Sequence, residues 1–275
     1  MPFLQNRTFY FVLATLAGFA GYSSADAATL KQPFSSPQGG VPTGWELVQN
    51  GSTGSYTAGI SEVVAEGGDW RMLMLRNDGA FTSNSTNQNL FYTEEKIADF
   101  DSEVVFRVYG GSAGSLRISK GLVARSSELS ANGYGGYHAY VSGDSNNNYT
   151  LTLSMKEAGT SSQWGTTILA SDDLTTALAA NTDYLLRFSA RGDTLSASIY
   201  RADGEGNYTV ELASVSGQDS TYATGYFGLK STPNGVDRGV YFSDFELTVI
   251  PEPGALTLGA LGLALLGCVG RRQSR

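Results

Sequence analysis

Hydrolysis of a glycosidic bond takes two carboxyl groups roughly 5 to 10 Å apart across an open groove, and along a β-strand such groups sit at positions of equal parity. Asp99, Asp101 and Glu103 share parity and are the nearest approach to that arrangement in the chain. A solvated strand entrance accounts for them more simply, so no residue is given a catalytic role. His138 is the only histidine, which rules out a multi-histidine metal centre, and no Gly-x-Ser-x-Gly elbow accompanies it. Asp144, Asn146 and Asn148 imitate the opening of an EF-hand loop, yet Tyr149 stands where the sharp turn needs glycine and Met155 where the bidentate glutamate belongs. That segment reads as a hairpin tip.

Sugar recognition is better provided for. Aromatic faces stack on the apolar faces of sugar rings while amide, carboxylate and hydroxyl groups bond the sugar hydroxyls. Asn132, Tyr134, Tyr137, His138, Tyr140 and Trp164, with the Asn146 to Asn148 loop, supply such groups and form the candidate carbohydrate-binding set. The formal charge of −8 argues against nucleic acid as a partner, because that interaction needs a basic footprint. Cys268, the only cysteine, lies close to the C-terminus. The body of the chain therefore holds no disulfide, zinc-thiolate site or cysteine nucleophile.

The elements that must position these side chains are strands. Tyr149, Leu151, Leu153 and Met155 alternate with Thr150, Thr152, Ser154 and Lys156, which puts apolar side chains on one face and polar ones on the other. The same period covers 70–76, 100–109, 137–141, 184–190, 195–200, 208–213 and 226–230, and Phe245, Leu247 and Val249 give the last strand a core face. Arg191-Gly192-Asp193 and the segments 143–148 and 203–207 read as hairpin turns. Residues 172–180 are expected to form one short helical turn capped by Ser171 or Asp172. Residues 28–44, with Pro33, Pro37 and Pro42, read as an irregular lead-in. The expectation is an all-β, antiparallel two-sheet sandwich over 45–249, without a repeat of solenoid or propeller length.

Both ends carry addresses. Arg7, the apolar stretch from Phe9 to Phe19 and the small residues Ala25 and Ala27 have the order of a secretory signal peptide over 1–27, cleaved before Ala28. At the other end, 250–275, Pro251-Glu252-Pro253 precedes an apolar run over about 254–270 and then Arg271, Arg272 and Arg275. A helix of about 17 residues rising ~1.5 Å each spans on the order of 25 Å, enough to cross a bilayer with the arginines on the cytoplasmic side.

This tail resembles the PEP-CTERM sorting signal of bacterial envelope proteins. The resemblance implies export through signal peptidase, transient anchorage in the inner membrane, processing by an exosortase, and delivery to the cell envelope, surface or extracellular matrix. The body resembles the concanavalin A-like lectin/glucanase jelly rolls, laminin-G-like members included. The resemblance rests on Gly121-Leu122-Val123-Ala124-Arg125, Gly136-Tyr137-His138-Ala139-Tyr140-Val141, the hairpin from Asp183 to Tyr200, and Gly225-Tyr226-Phe227-Gly228-Leu229 ahead of Val240 to Phe245. Glucanases of that fold carry Glu-x-Asp-x-x-Glu or Glu-x-Asp-x-Glu, absent here, and its alginate lyases place glutamine two residues before a histidine, where this chain has Gly136. The resemblance also implies a structural calcium with Asp244 among its ligands; no other cofactor is required. The reading is an exported, non-catalytic carbohydrate-binding β-sandwich associated with extracellular polysaccharide. A glycan-active hydrolase or lyase on the same fold, and a purely structural or adhesive envelope protein, are the alternatives.

Overall fold

The computed structural model describes residues 28–32, 41–50, 60–66, 69–76, 87–109, 118–130, 133–160, 164–232 and 238–251. Ala25, Ala27, Asn132, Glu252, Pro253, Arg271, Arg272 and Arg275 lie outside them, as do the segments read as signal peptide and C-terminal helix. One sheet of eight strands runs β13 (Tyr208–Gln218), β12 (Thr194–Ala202), β11 (Asp183–Arg191), β6 (Asp99–Tyr109), β15 (Arg238–Ile250), β4 (Asp69–Arg76) and β3 (Ile60–Glu66), with β1 (Ala28–Gln32) also on β15. The second, of seven strands, runs β10 (Thr167–Asp173), β9 (Tyr149–Lys156), β8 (Gly136–Gly143), β7 (Ser119–Ser126), β14 (Gly225–Thr232), β5 (Asn87–Ile97) and β2 (Trp45–Asn50). The pairings that build both sheets are antiparallel, from β11 on β6 to β14 on β7. The architecture is the two-sheet jelly-roll sandwich that the alternating pattern demands, and no helix occurs among the described residues.

The core lies between the sheets. Leu122, Ala139, Leu151, Leu153 and Leu229 from one sheet meet Val104, Phe106, Leu186, Leu195, Ile199 and Phe242 from the other, all wholly buried or nearly so. Edge-on aromatic contacts stitch the layers together. Trp45 meets Phe245 with ring centroids 5.2 Å apart and Phe227 meets Phe100 at 5.2 Å, while within the eight-stranded sheet Phe100 meets Phe188 at 5.4 Å, all near the T-shaped geometry that ring quadrupoles favour.

Two local expectations are corrected. Residues 172–180 do not form a helical turn: Thr167–Asp173 is strand β10, and the chain beyond it spends its amides elsewhere. Leu174 N donates to Tyr149 O at 2.8 Å, Thr175 N to Leu212 O at 2.9 Å and Ala179 N to the Tyr184 hydroxyl at 2.7 Å. Tertiary partners thereby outbid the single turn of helix that the local sequence permits. The lead-in also begins with a strand, because Ala28–Gln32 pairs along Phe245 to Val249.

A bulge in β15 explains how Phe242 and Phe245, of opposite parity, both face the core. The register against β6 shifts between Ser243 and Glu246, and Asp244 takes a left-handed φ of 49° there. A second left-handed residue, Arg125 at φ 50°, closes one end of the sandwich from β7. Its Nε donates to Ala98 O at 2.9 Å, Nη1 to Tyr222 O at 3.1 Å and Nη2 to Asp99 Oδ1 at 3.2 Å. Ala98 and Asp99 lie where the chain crosses from the seven-stranded to the eight-stranded sheet, so one buried guanidinium ties the two layers. Replacing Arg125 with Met strands those acceptors and is expected to cost about 3–5 kcal/mol, a melting-temperature loss on the order of 10 °C. The Arg191–Asp101 pair, 44% and 57% exposed, offers the contrast, and Arg191→Met is expected to cost under about 1 kcal/mol in the same thermal denaturation.

Candidate functional site

In β8, Tyr137, Ala139 and Val141 point into the core and His138 and Tyr140 point outward, because successive strand residues face opposite ways. Strand register then fixes their neighbours on the outer face of the seven-stranded sheet. One row across the strands reads Asn89, Lys230, Gly121, Tyr140, Thr152, and the next reads Phe91, Gly228, Val123, His138, Ser154. A Cβ on Gly121 would meet the Ala139 carbonyl oxygen at 2.1 Å, and Trp164, from the connection between β9 and β10, packs over the neighbouring Tyr140, His138 and Lys230. Its ring lies 4.5 Å from that of Tyr140, 5.7 Å from that of His138 and 5.1 Å from Lys230 Nζ. Trp164 Nε1 donates to the Thr232 hydroxyl, and Ser154 Oγ donates to the Trp164 carbonyl.

The connection from β7 to β8 covers the rest of the face. Ser127 N donates to Gly135 O at 2.8 Å, and Gly159 N from the β9–β10 connection donates to Gly133 O at 2.7 Å, so the two connections are bonded to each other above the sheet. Phe91, Val123 and Tyr134 form a small second core beneath them. Tyr134 is its polar centre: its hydroxyl lies 2.8 Å from His138 Nε2 and accepts from Lys230 Nζ at 3.0 Å, while Lys230 also donates to Asn89 Oδ1 at 2.9 Å. The ammonium groups of Lys156 and Lys230 stand 5.2 and 5.3 Å from the centroid of the Tyr134 ring. Lys156 donates to the Thr160 carbonyl at 2.8 Å, pinning the second connection.

Burial dominates the electrostatics of this cluster. It holds Lys230 well below the usual lysine range, with the Lys156 charge acting in the same direction, and it holds Tyr134 well above the usual tyrosine range. Burial also pushes His138 well below its ordinary value, with Lys230 and Lys156 reinforcing and the Trp164 backbone opposing. Lys156 is lowered by burial against the pull of Glu128. On the inner face Lys120, beside the Phe106 and Tyr149 rings, is brought down to about 7 by burial.

Of the residues singled out for sugar contact, Tyr134, His138, Tyr140 and Trp164 come together on this face. Tyr137 does not. It is a core residue whose hydroxyl donates to Asp219 Oδ1 at 2.6 Å and accepts from Tyr222 N at 3.0 Å. Tyr134 and His138 are themselves wholly buried, so the expected open aromatic platform narrows to the half-buried pair Tyr140 and Trp164. Sequence reasoning missed Lys156, Lys230 and Asn89. The lysines sit on the polar side of their strands, where the alternation assigns them to solvent, and only the covering connections bury them.

The Asn146 to Asn148 loop is the tip of the β8–β9 hairpin. There Asp144 Oδ1 accepts from Asn146 N at 2.7 Å and Asn148 N at 2.9 Å, and an open polar cleft runs from Asp144 and Asn147 to Asp173. On the far sheet the carboxylates of equal parity are each matched by a cation. Asp99 meets Arg125 at 3.2 Å, Asp101 meets Arg191 at 2.6 Å and Glu103 meets Arg187 at 3.2 Å. Asp101 and Glu103 line an open cleft on that face together with Arg187 and Glu246. Asp244 is exposed on its bulge, and among the described residues no group of three or more His, Cys, Asp or Glu side chains is placed to hold a metal ion.

No protein-family profile matches the chain, and no curated protein matches it in sequence. Solved structures do share the fold. The exoplasmic/lumenal domain of VIP36 in its calcium-bound form superposes with a TM-score of 0.53 at 13% identity, covering 80% of this chain and 90% of that one. The carbohydrate recognition domain of Emp46p, metal-free, gives 0.51 at 11% identity over 76% and 89%. Carbohydrate-binding module CBM66 from Bacillus subtilis gives 0.44 at 20% identity over 74% and 95%.

The buried amines make a measurable demand on stability. A lysine or histidine lowered in the fold lets the unfolded chain bind more protons, so stability rises with pH from the folded value up to the unfolded one. For the lysines that window runs from about 7 for Lys120 toward about 10.5. Above about 10 the raised tyrosines, Tyr134 well above the usual range and Tyr137 and Tyr208 at about 12, reverse the trend, because the unfolded chain loses its phenolic protons first. The melting temperature is therefore expected to peak near pH 9 to 10. A peak between pH 5 and 7 in a pH-resolved thermal scan would show that the lysines keep their charge in the fold.

Proposed function

We propose that this protein is an exported, non-catalytic carbohydrate-binding sandwich that works in contact with extracellular polysaccharide. The observation that carries the reading is the half-buried Tyr140–Trp164 pair, 4.5 Å apart and tilted by 39°, at the rim of an otherwise filled polar strip. Such a pair presents ring surface beside hydrogen-bonding groups, as sugar stacking requires. The fold adds support: VIP36 has been solved in mannose-bound form with a TM-score of 0.52 to this chain, at 13% identity. The ion-paired carboxylates of the opposite sheet favour binding over hydrolysis.

A polysaccharide panel with product analysis tests the reading. At least one polymer is expected to retain the purified protein without being cleaved, and Tyr140→Ala and Trp164→Ala are each expected to weaken retention at least about tenfold, or ~1.4 kcal/mol. Tyr200→Ala, beneath Arg187 on the other sheet, is the control expected to bind as the parent does. Retention unaffected by either rim substitution would place the sugar elsewhere, release of product would revive a hydrolase or lyase, and a folded protein that binds no polymer would favour a structural or adhesive role.

The delivery route belongs to the same proposal: removal of residues 1–27 by signal peptidase, anchorage by 254–270, and exosortase processing at Pro251-Glu252-Pro253. Its support is that the last strand ends at Ile250, directly before the proline. Intact-mass measurement of exported protein is expected to show Ala28 as the first residue. A chain still beginning at Met1 would overturn the assignment.

A further inference from the structure

The polar cluster under the two connections contains three bases around Tyr134, whose hydroxyl bonds His138 and Lys230 and whose ring faces Lys156. Tyr134 belongs to the covering layer; His138, Lys230 and Lys156 belong to the sheet. With Lys230 donating into the Tyr134 oxygen at 3.0 Å, the phenolic hydrogen is left to donate to His138 Nε2 at 2.8 Å, and that bond needs a neutral imidazole. His138 Nδ1 is buried with no hydrogen bond of normal geometry among the described residues, and only the Trp164 backbone favours an extra proton on the ring. The charged and titratable groups facing it are the Lys230 and Lys156 ammoniums and the Tyr134 hydroxyl, with Tyr140 alongside on its own strand and Glu128 acting on Lys156 from the covering connection. Glu128 is the one acid among them, so a proton on His138 adds positive charge to a buried set with a single nearby counter-charge.

We infer that Tyr134 and His138 form an acid-sensitive latch: protonation of His138 breaks the hydroxyl–imidazole bond and lifts the covering connections from the outer face of the seven-stranded sheet, uncovering Lys156, Lys230 and the aromatic strip. The contacts that would part together are those already holding the layer down, Gly159 N to Gly133 O, Lys156 Nζ to Thr160 O and Tyr134 to its three basic neighbours. The sandwich beneath need not change, because its aromatic core lies on the other side of the sheet. The latch stands or falls independently of glycan binding.

Hydrogen exchange read by mass spectrometry on the purified protein between pH 7.5 and 4.5, corrected for intrinsic exchange, tests it. In peptides carrying the Ser127, Gly135 and Gly159 amides, protection is expected to fall by up to tenfold per pH unit below about 6.5, while the β11–β12 hairpin stays protected. His138→Gln keeps an acceptor for Tyr134 but cannot titrate, and is expected to abolish that pH dependence. Should that variant fail to fold, Tyr134→Phe is expected to show low, pH-independent protection in the same peptides at pH 7.5. Undiminished protection in the parent down to pH 4.5, an unchanged pH profile in His138→Gln, or parental protection in Tyr134→Phe would each overturn the latch.

Discussion

The structure depends on the guanidinium of Arg125. Side-chain exposure of 1% makes it a charge taken out of water, tolerable only because Asp99 and two carbonyls from different parts of the chain receive its donors. Those acceptors belong to the crossing between sheets and to the β13–β14 connection, so the ion fixes how the two layers close at one end. The same residue shapes the outer face. Its left-handed backbone ends the regular ladder of β7, and a Cβ on Gly225 would come within 2.3 Å of the Arg125 backbone, so β14 can reach the bulge only through glycine. From that bulge the chain departs into the connection that carries Tyr134 over the sheet.

The outer face of the seven-stranded sheet is thereby converted from a surface into a third, thin layer. A sheet face left to water would expose Phe91 and Val123; here Tyr134 covers them, at the expense of burying two lysines and a histidine. The phenol makes that burial possible, because its ring faces the cations and its hydroxyl sits among them. Satisfaction is incomplete, as His138 Nδ1 shows, and a polar network with one unmet member marks a place where the packing answers to something besides stability. Of the candidate sugar contacts in that layer, Tyr140 and Trp164 extend toward solvent.

Most of the sandwich was legible in the sequence because period-2 alternation follows directly from one-sided burial. The strands over 100–109, 149–156, 184–190 and 195–200 lie where the pattern puts them, and the Arg191 to Thr194 turn closes as a two-residue hairpin with Gly192 at φ 57°. β10 was illegible for the same reason. It is a sheet edge with no buried side to write an alternation, as its exposed Ile168 shows, so local helix signals stood unopposed. At the site, parity separates Tyr137 from His138 without any coordinates, and treating both as sugar contacts overlooked it. The burial of Lys156 and Lys230 was beyond reach, because it depends on where two irregular connections come to rest.

The first and last strands among the described residues lie side by side. Ala28 lies opposite Val249, and the seam continues through a Thr29–Thr248 hydroxyl contact at 3.1 Å and a Lys31–Glu246 ion pair at 2.7 Å to Gln32 opposite Phe245. Whatever precedes Ala28 and follows Ile250 therefore leaves from one place on the eight-stranded sheet. A tether joined there loads the β1–β15 seam and, beyond it, the long β15–β6 ladder, the contact that also positions Asp99 for Arg125. Cutting the chain on the outer side of Ala28 or Ile250 removes no rung of that ladder. Removal of the segments outside Ala28 and Ile250 therefore leaves the paired first and last described strands intact.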